Sequence, residues 1–166
     1  MSLTITKLNY HNPDHGFILK EISLHAKCGQ ITAIVGPSGS GKSTLVKVIA
    51  GLYQAANGSI KFSHQELGKT TSYQRQIGYV SQNPSLLPHL TIYENLKLAR
   101  RGKFTTAAKE ELLSLLKKVR LSQYKDSYPH QLSIGQQQKI AILRAIFRQP
   151  KMILFDEPYA NLDLIV

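Results

Sequence analysis

Eight consecutive residues, Gly36-Pro37-Ser38-Gly39-Ser40-Gly41-Lys42-Ser43, carry the sharpest chemical signal in the chain. Their types and spacing fit GxxxxGK[ST], a loop whose backbone N–H groups curl around phosphates. Glycines permit the tight curl, and a helix starting behind the loop adds the positive end of its dipole to the anion site. Lys42 is placed to reach β- and γ-phosphates as a point charge, and the Ser43 hydroxyl to ligate Mg2+. Gly36, Ser38, Gly39, Ser40, Gly41, Lys42, Ser43 and Thr44 are therefore candidate nucleotide-binding residues.

A second group is Asp156-Glu157, which follows the apolar run Met152-Ile153-Leu154-Phe155. Adjacent acids are ordinarily a solvated turn, but at the end of a strand in a chain with a phosphate loop they suit metal and water chemistry. Asp156 is placed to hold Mg2+ directly or through water, and Glu157 to polarise an attacking water as general base. A third group is Leu132-Ser133-Ile134-Gly135-Gln136. Ser133 can cap a helix with Gln136 three residues later, so on its own this is an ordinary helix start.

The elements that must position these groups read as an α/β chain. Leu3–Asn9 and Phe17–Ala26 alternate apolar and polar residues around an Asn12-Pro13-Asp14 turn, which predicts an antiparallel pair of strands. Ile31–Val35 reads as a compact apolar strand feeding the phosphate loop, and Lys42–Ala50 as the helix leaving it, stopped by Gly51. Gly58–Phe62 and Ile77–Ser81 read as further short strands. From Thr91 to Asp126 the pattern turns helical, with Ala108, Leu112, Leu115, Leu116 and Val119 at steps of three and four in one amphipathic helix. Ser133 to about Phe147 reads as another helix, broken by Pro150 before Met152–Phe155 forms a buried strand.

With 166 residues and 42% hydrophobic content the chain supports one domain. The formal charge of +11 suits phosphate-rich ligands, nucleic acid or an anionic membrane without choosing among them. One cysteine, Cys28, excludes an intrachain disulfide and a Cys-rich zinc site, and its turn setting reads as a buried or half-buried bystander. The N-terminus lacks a signal-peptide layout, and no apolar run is long enough to span a bilayer.

At Leu132–Gln136 and the following Gln137-Gln138-Lys139-Ile140-Ala141-Ile142-Leu143-Arg144-Ala145 the sequence closely resembles the ABC (ATP-binding cassette) ATPases. Four of the five positions of their LSGGQ signature match, with Ile134 where the first glycine is usual. The resemblance runs in order along nearly the whole chain. It implies that Tyr10, 26 residues before Gly36, stacks on adenine, and that Gln82 bridges the Mg2+ and water site to membrane domains. It also implies that Ala160-Asn161-Leu162-Asp163 is the D-loop that communicates across a dimer. Fold and cofactors follow by the same resemblance: a P-loop NTPase (RecA-like) core, an N-terminal antiparallel β subdomain and a helical signature subdomain, binding ATP and Mg2+. The core and β subdomain would take about 1–90 and 149–166, and the helical subdomain about 91–148.

In this family two cassettes meet head to tail, and each ATP lies between the phosphate loop of one and the signature of the other. Ser133, Gly135 and Gln136 would thus face a nucleotide held by a partner cassette, with Glu157, Lys42 and Gln82 catalytic and Ser43, Gln82 and Asp156 at the metal. Beyond the D-loop, family members continue into a strand ending in a histidine that contacts the γ-phosphate. None of the six histidines here follows the acidic pair. The resemblance therefore implies that C-terminal strands are missing, one of them central to the sheet, and that the chain alone is poorly stable. Transporter subunits are the nearest functional class, most like importers of amino acids and similar small solutes, with lipid, lipoprotein and macrolide exporters sharing much of the same wording. Such a subunit sits peripherally on the cytoplasmic face of the inner or plasma membrane, with transmembrane permease subunits and a solute-binding protein as partners. A nucleic-acid- or ribosome-linked ATPase is the alternative that the charge suits, although the 91 residues from Lys42 to Ser133 hold no coiled-coil heptads. A fragment that binds ATP without hydrolysing it is the third reading.

Overall fold

A computed structural model describes residues 2–14 and 16–158. The chain falls into two compact units, Met1–Ile77 and Gly78–Val166.

The first unit is built on an antiparallel sheet in the order β2-β1-β3-β4, made by β1 (Ser2–Asn12), β2 (Gly16–Lys27), β3 (Asn57–Phe62) and β4 (Gln65–Glu66). The expected pairing of the first two strands is present, with Leu3 opposite Ala26, Ile5 opposite Leu24 and Tyr10 opposite Leu19. The alternation breaks in the middle of β1. Leu3 and Ile5 point inward, Thr6 and Lys7 are exposed, and then Leu8 and Tyr10 are buried. A bulge causes the change of phase: Lys7 takes φ 45°, Glu21 on β2 takes φ 49°, and the register shifts between Ile5 and Leu8. Asn9 seals it, donating to the Lys7 carbonyl and accepting from the Glu21 N–H.

Helix α1 (Lys42–Ala50) buries Leu45, Val46, Val48 and Ile49 and ends at Gly51, where φ 80° needs a glycine. Arg75, 5% exposed, donates to the carbonyls of Val48, Ile49 and Thr70, so a side chain takes up acceptors that the helix end leaves open. Burial holds its guanidinium below the usual arginine range.

One sequence expectation fails here. Ile31–Val35 forms no strand, and Ile31 is 100% and Val35 88% exposed. Apolar content gives a strand only when neighbours complete its ladder, and among the described residues none pairs with this segment. Cys28 is exposed rather than buried or half-buried.

β5 (Ile77–Val80) pairs with β6 (Met152–Phe155) in a two-stranded sheet, and the other regular elements described in the second unit are helices. β6 is half-buried rather than buried, with Phe155 43% exposed. The helical stretch from Thr91 is two helices, α2 (Ile92–Lys97) and α3 (Thr106–Lys118), because separate N-caps at Thr91 and Thr105 start each one. Ala108, Leu112 and Leu116 of α3 are buried as their spacing predicts. They share one core with Ile92 and Leu96 of α2 and with Ile140 and Phe147 of α4 (Ile134–Phe147). The boundary between the units leaves Gly78–Val80 and Met152–Phe155 with the helices, whereas the sequence reading groups them with the N-terminal strands.

Candidate functional site

The phosphate loop belongs to the first unit. Gly36, Ser38, Gly39 and Ser40 are exposed, and Gly41, Lys42, Ser43 and Thr44 are half-buried at the start of α1. Gly41, at φ 88°, is the N-cap, where any L side chain is strained, and a Cβ there would crowd Leu19 Cδ2 at 3.0 Å. No side chain caps the helix, which leaves its first-turn N–H groups without a side-chain acceptor. Lys42 Nζ folds back to donate to the carbonyls of Gly36 (3.0 Å) and Pro37 (2.8 Å). A glycine-rich loop, an uncapped N-terminus and a lysine held by weak neutral acceptors fit a phosphate chain.

Tyr10, the residue to which the resemblance gives adenine stacking, also lies in the first unit. It is 8% exposed, and its ring stacks on Tyr53 with centroids 5.3 Å apart and planes at 8°. Counted from Leu3 and Ile5 with period two, Tyr10 falls on the outer face; the bulge at Lys7 turns it inward. In this structure the Tyr10 ring therefore packs within the first unit, against Tyr53.

The other candidates belong to the second unit. Asp156 is 7% exposed; its N–H donates to the Val80 carbonyl at 2.9 Å, and the Tyr79 hydroxyl donates to its Oδ2 at 3.0 Å. Glu157 follows, exposed and in the left-handed region at φ 49°, a conformation that strong local constraint must hold in place. Among the described residues no three His, Cys, Asp or Glu cluster as a metal cage. The hard oxygen donors of Asp156 and Gln82 fit Mg2+ by their chemistry, since it takes one or two protein ligands and completes its shell with waters and phosphate oxygens.

Gln82 is exposed in the turn after β5, and the backbone around it is held from several sides. The Ser81 hydroxyl bonds the Asn83 carbonyl, and Gln138 Nε2 of α4 donates to the Ser81 carbonyl at 3.2 Å. Arg144, also on α4, donates to the carbonyls of Ser85 (2.9 Å) and Pro84 (3.2 Å), and burial holds its guanidinium below the usual range. Asn95 of α2, 1% exposed, accepts from the Leu87 N–H and donates to the carbonyls of Leu87, Leu90 and Thr91. Tyr79, Asn95, Gln138 and Arg144 are not among the residues that the sequence singles out. For Asn95 a signal exists: a polar side chain three residues after Ile92, on the apolar face of its helix, must be paired to be buried.

Ser133 and Gln136 form the capping box that starts α4, with Gln136 N–H to Ser133 Oγ at 3.2 Å and Ser133 N–H to Gln136 Oε1 at 2.9 Å. A hydroxyl that accepts in this way keeps its own proton to donate to an anion. Ile134 occupies the first helical position, 52% exposed, and Gly135 is half-buried beside it. The structure thus joins Ser133 to Gln136 and ties the Gln82 turn to α4, with the phosphate loop in the other unit. The D-loop, 160–163, lies outside the described residues.

A family model described as ABC transporter matches residues 19–160. The chain belongs to that family. Among curated relatives it is 41% identical to a sulfate/thiosulfate import ATP-binding protein of Shewanella oneidensis, over 98% of this chain and 48% of that one. It is equally identical to a protein described in the same words from Neisseria meningitidis serogroup B, over 98% and 47%. The chain thus spans about half the length of the curated relatives it matches. Among solved structures, a dimeric post-hydrolysis ATP-binding cassette bound to ADP and Pi matches with TM-score 0.84 and 32% identity, over 98% of this chain and 76% of that one. An ATP-binding subunit of an ABC transporter matches with TM-score 0.86 and 30% identity, over 99% and 69%. The α/β cassette fold expected from the sequence is therefore the fold observed, with its antiparallel β subdomain.

Proposed function

We propose that this chain is the nucleotide-binding part of an ATPase subunit that couples ATP binding and hydrolysis to solute import through separate membrane subunits. The observation that carries the reading is the phosphate loop at the uncapped N-terminus of α1, in a chain that also presents a capped signature helix and an acidic pair. Import is supported by the relatives named for sulfate/thiosulfate import, and a second cassette by the dimeric solved relative. No helix among the described residues is long and apolar enough to cross a membrane, which suits a peripheral subunit docked on permease subunits at the cytoplasmic face.

Backbone N–H groups of 36–41, together with Lys42 and Thr44, bind and orient the triphosphate. Ser43 of the first unit, and Asp156 and Gln82 of the second, are each candidates to hold Mg2+, which when bound would neutralise phosphate charge. Glu157 accepts a proton from the water that attacks the γ-phosphorus, and Ser133 and Gly135 donate to the γ-phosphate of the nucleotide held by the partner cassette. The test is the full-length protein reconstituted with its membrane subunits in liposomes. Glu157→Gln should retain ATP binding and lower turnover by about 100-fold or more. Failure of the parent to bind ATP overturns the reading, and turnover indifferent to the membrane subunits overturns its transport half.

A further inference from the structure

We propose that Tyr79 is a positioning residue that fixes which oxygen of Asp156 is offered to the metal; this rests on the function proposed above. Asp156 leaves β6 with its main chain pinned by the hydrogen bond to Val80, so one freedom that matters remains, the rotation of its carboxylate. The Tyr79 hydroxyl stops that rotation by meeting Oδ2 at 3.0 Å. An ionised carboxylate only accepts, so the phenol must be the donor, and such a charge-assisted bond is stronger than a neutral one. With Oδ2 engaged by Tyr79, Oδ1 is the oxygen left for a cation or its water shell.

The surroundings make this bond decisive for Asp156. Among the described residues, no Lys or Arg forms an ion pair with the carboxylate, so its orientation is not set by a competing positive charge. Tyr79 is half-buried on β5 and directly precedes Val80, which receives the Asp156 N–H. One dipeptide therefore fixes the aspartate twice, by main chain and by side chain. Three residues after Tyr79 along the same segment comes Gln82, the other candidate metal ligand from this unit.

The experiment measures Mn2+ binding, by its electron paramagnetic resonance signal, to the ATP complex of the full-length protein carrying Glu157→Gln to block turnover. Tyr79→Phe keeps the ring and its packing and removes the donor. It should weaken Mn2+ binding about tenfold, as loss of a metal ligand's hydrogen-bond partner generally does, while ATP affinity measured with EDTA stays unchanged. Added to Asp156→Asn, the same change should produce no further loss, because Tyr79 acts through that carboxylate. Mn2+ affinity within twofold of the parent overturns the proposal. So does an equal fall in metal-free ATP affinity, which would mark a general packing role, or full additivity with Asp156→Asn. A parent that binds no ATP sinks the proposed function first, and this inference with it.

Discussion

Ile134 stands at the mouth of α4, between the Ser133 hydroxyl and the Gly135 N–H, where the family signature has glycine. A β-branched side chain there is stiff and limits how closely another backbone or a phosphate can approach. Glycine at this position costs the helix at most about 1 kcal/mol, because it falls at the first turn and outside the buried stripe. Ile134→Gly should therefore raise the steady-state ATPase rate of the full-length protein several-fold and strengthen ATP-driven dimer formation in size-exclusion runs. An unchanged rate would show that Ile134 does not obstruct closure. Tyr10 gives the opposite kind of prediction, since its ring is spent on Tyr53. Tyr10→Ala should lower stability by about 3 kcal/mol, the loss typical of a buried aromatic, and leave ATP affinity within twofold. A tenfold loss of ATP affinity in a protein that still melts normally would return Tyr10 to the adenine site.

The elements show why some of this was legible in the sequence and some was not. Lys42–Ala50 and the helix from Ser133 declare themselves by glycine stops, caps and 3.6-residue stripes, signals that act within a few residues. The bulge that turns Tyr10 inward depends on Glu21 across the ladder and on the Asn9 side chain, so no count along β1 alone predicts it. The failure of Ile31–Val35 as a strand has the same origin, because a strand is a property of its partners. The clamp on the Gln82 turn was equally hidden: Gln138 and Arg144 reach back 57 and 59 residues to their acceptors. Asn95 anchors the far end of that turn with four hydrogen bonds made from a buried side chain. Asn95→Ala would strand the Leu87 N–H and the Leu90 carbonyl, while the Thr91 and Leu87 carbonyls still accept from backbone N–H groups, a loss of about 2–4 kcal/mol. The melting temperature of the full-length protein should fall, and ATPase stimulation by the membrane subunits should fall with it. Stability indistinguishable from the parent would mean that water replaces the amide and the turn does not need this anchor.

At the scale of the molecule, the basic balance and the exposed apolar segment pull in different directions. A formal charge of +11 keeps chains apart by mutual repulsion. Ile31, Ile34 and Val35 instead present apolar surface, on a segment that pairs with no strand among the described residues, the combination through which chains add to each other edge to edge. Charge acts over roughly a Debye length, about 10 Å at 0.1 M salt, so added salt removes the repulsion and leaves the apolar contact intact. The 166-residue chain expressed by itself should consequently aggregate faster as salt is raised, the reverse of what an assembly held by ion pairs would do. Val35→Lys adds charge where the side chain is already in water and places a gatekeeper inside the apolar run. It should slow aggregation of the isolated chain severalfold, read by light scattering at matched concentration, with little change in the thermal transition. If Val35→Lys aggregates as fast as the parent, or if salt slows aggregation of both, the segment at 31–35 is not the surface through which these chains associate.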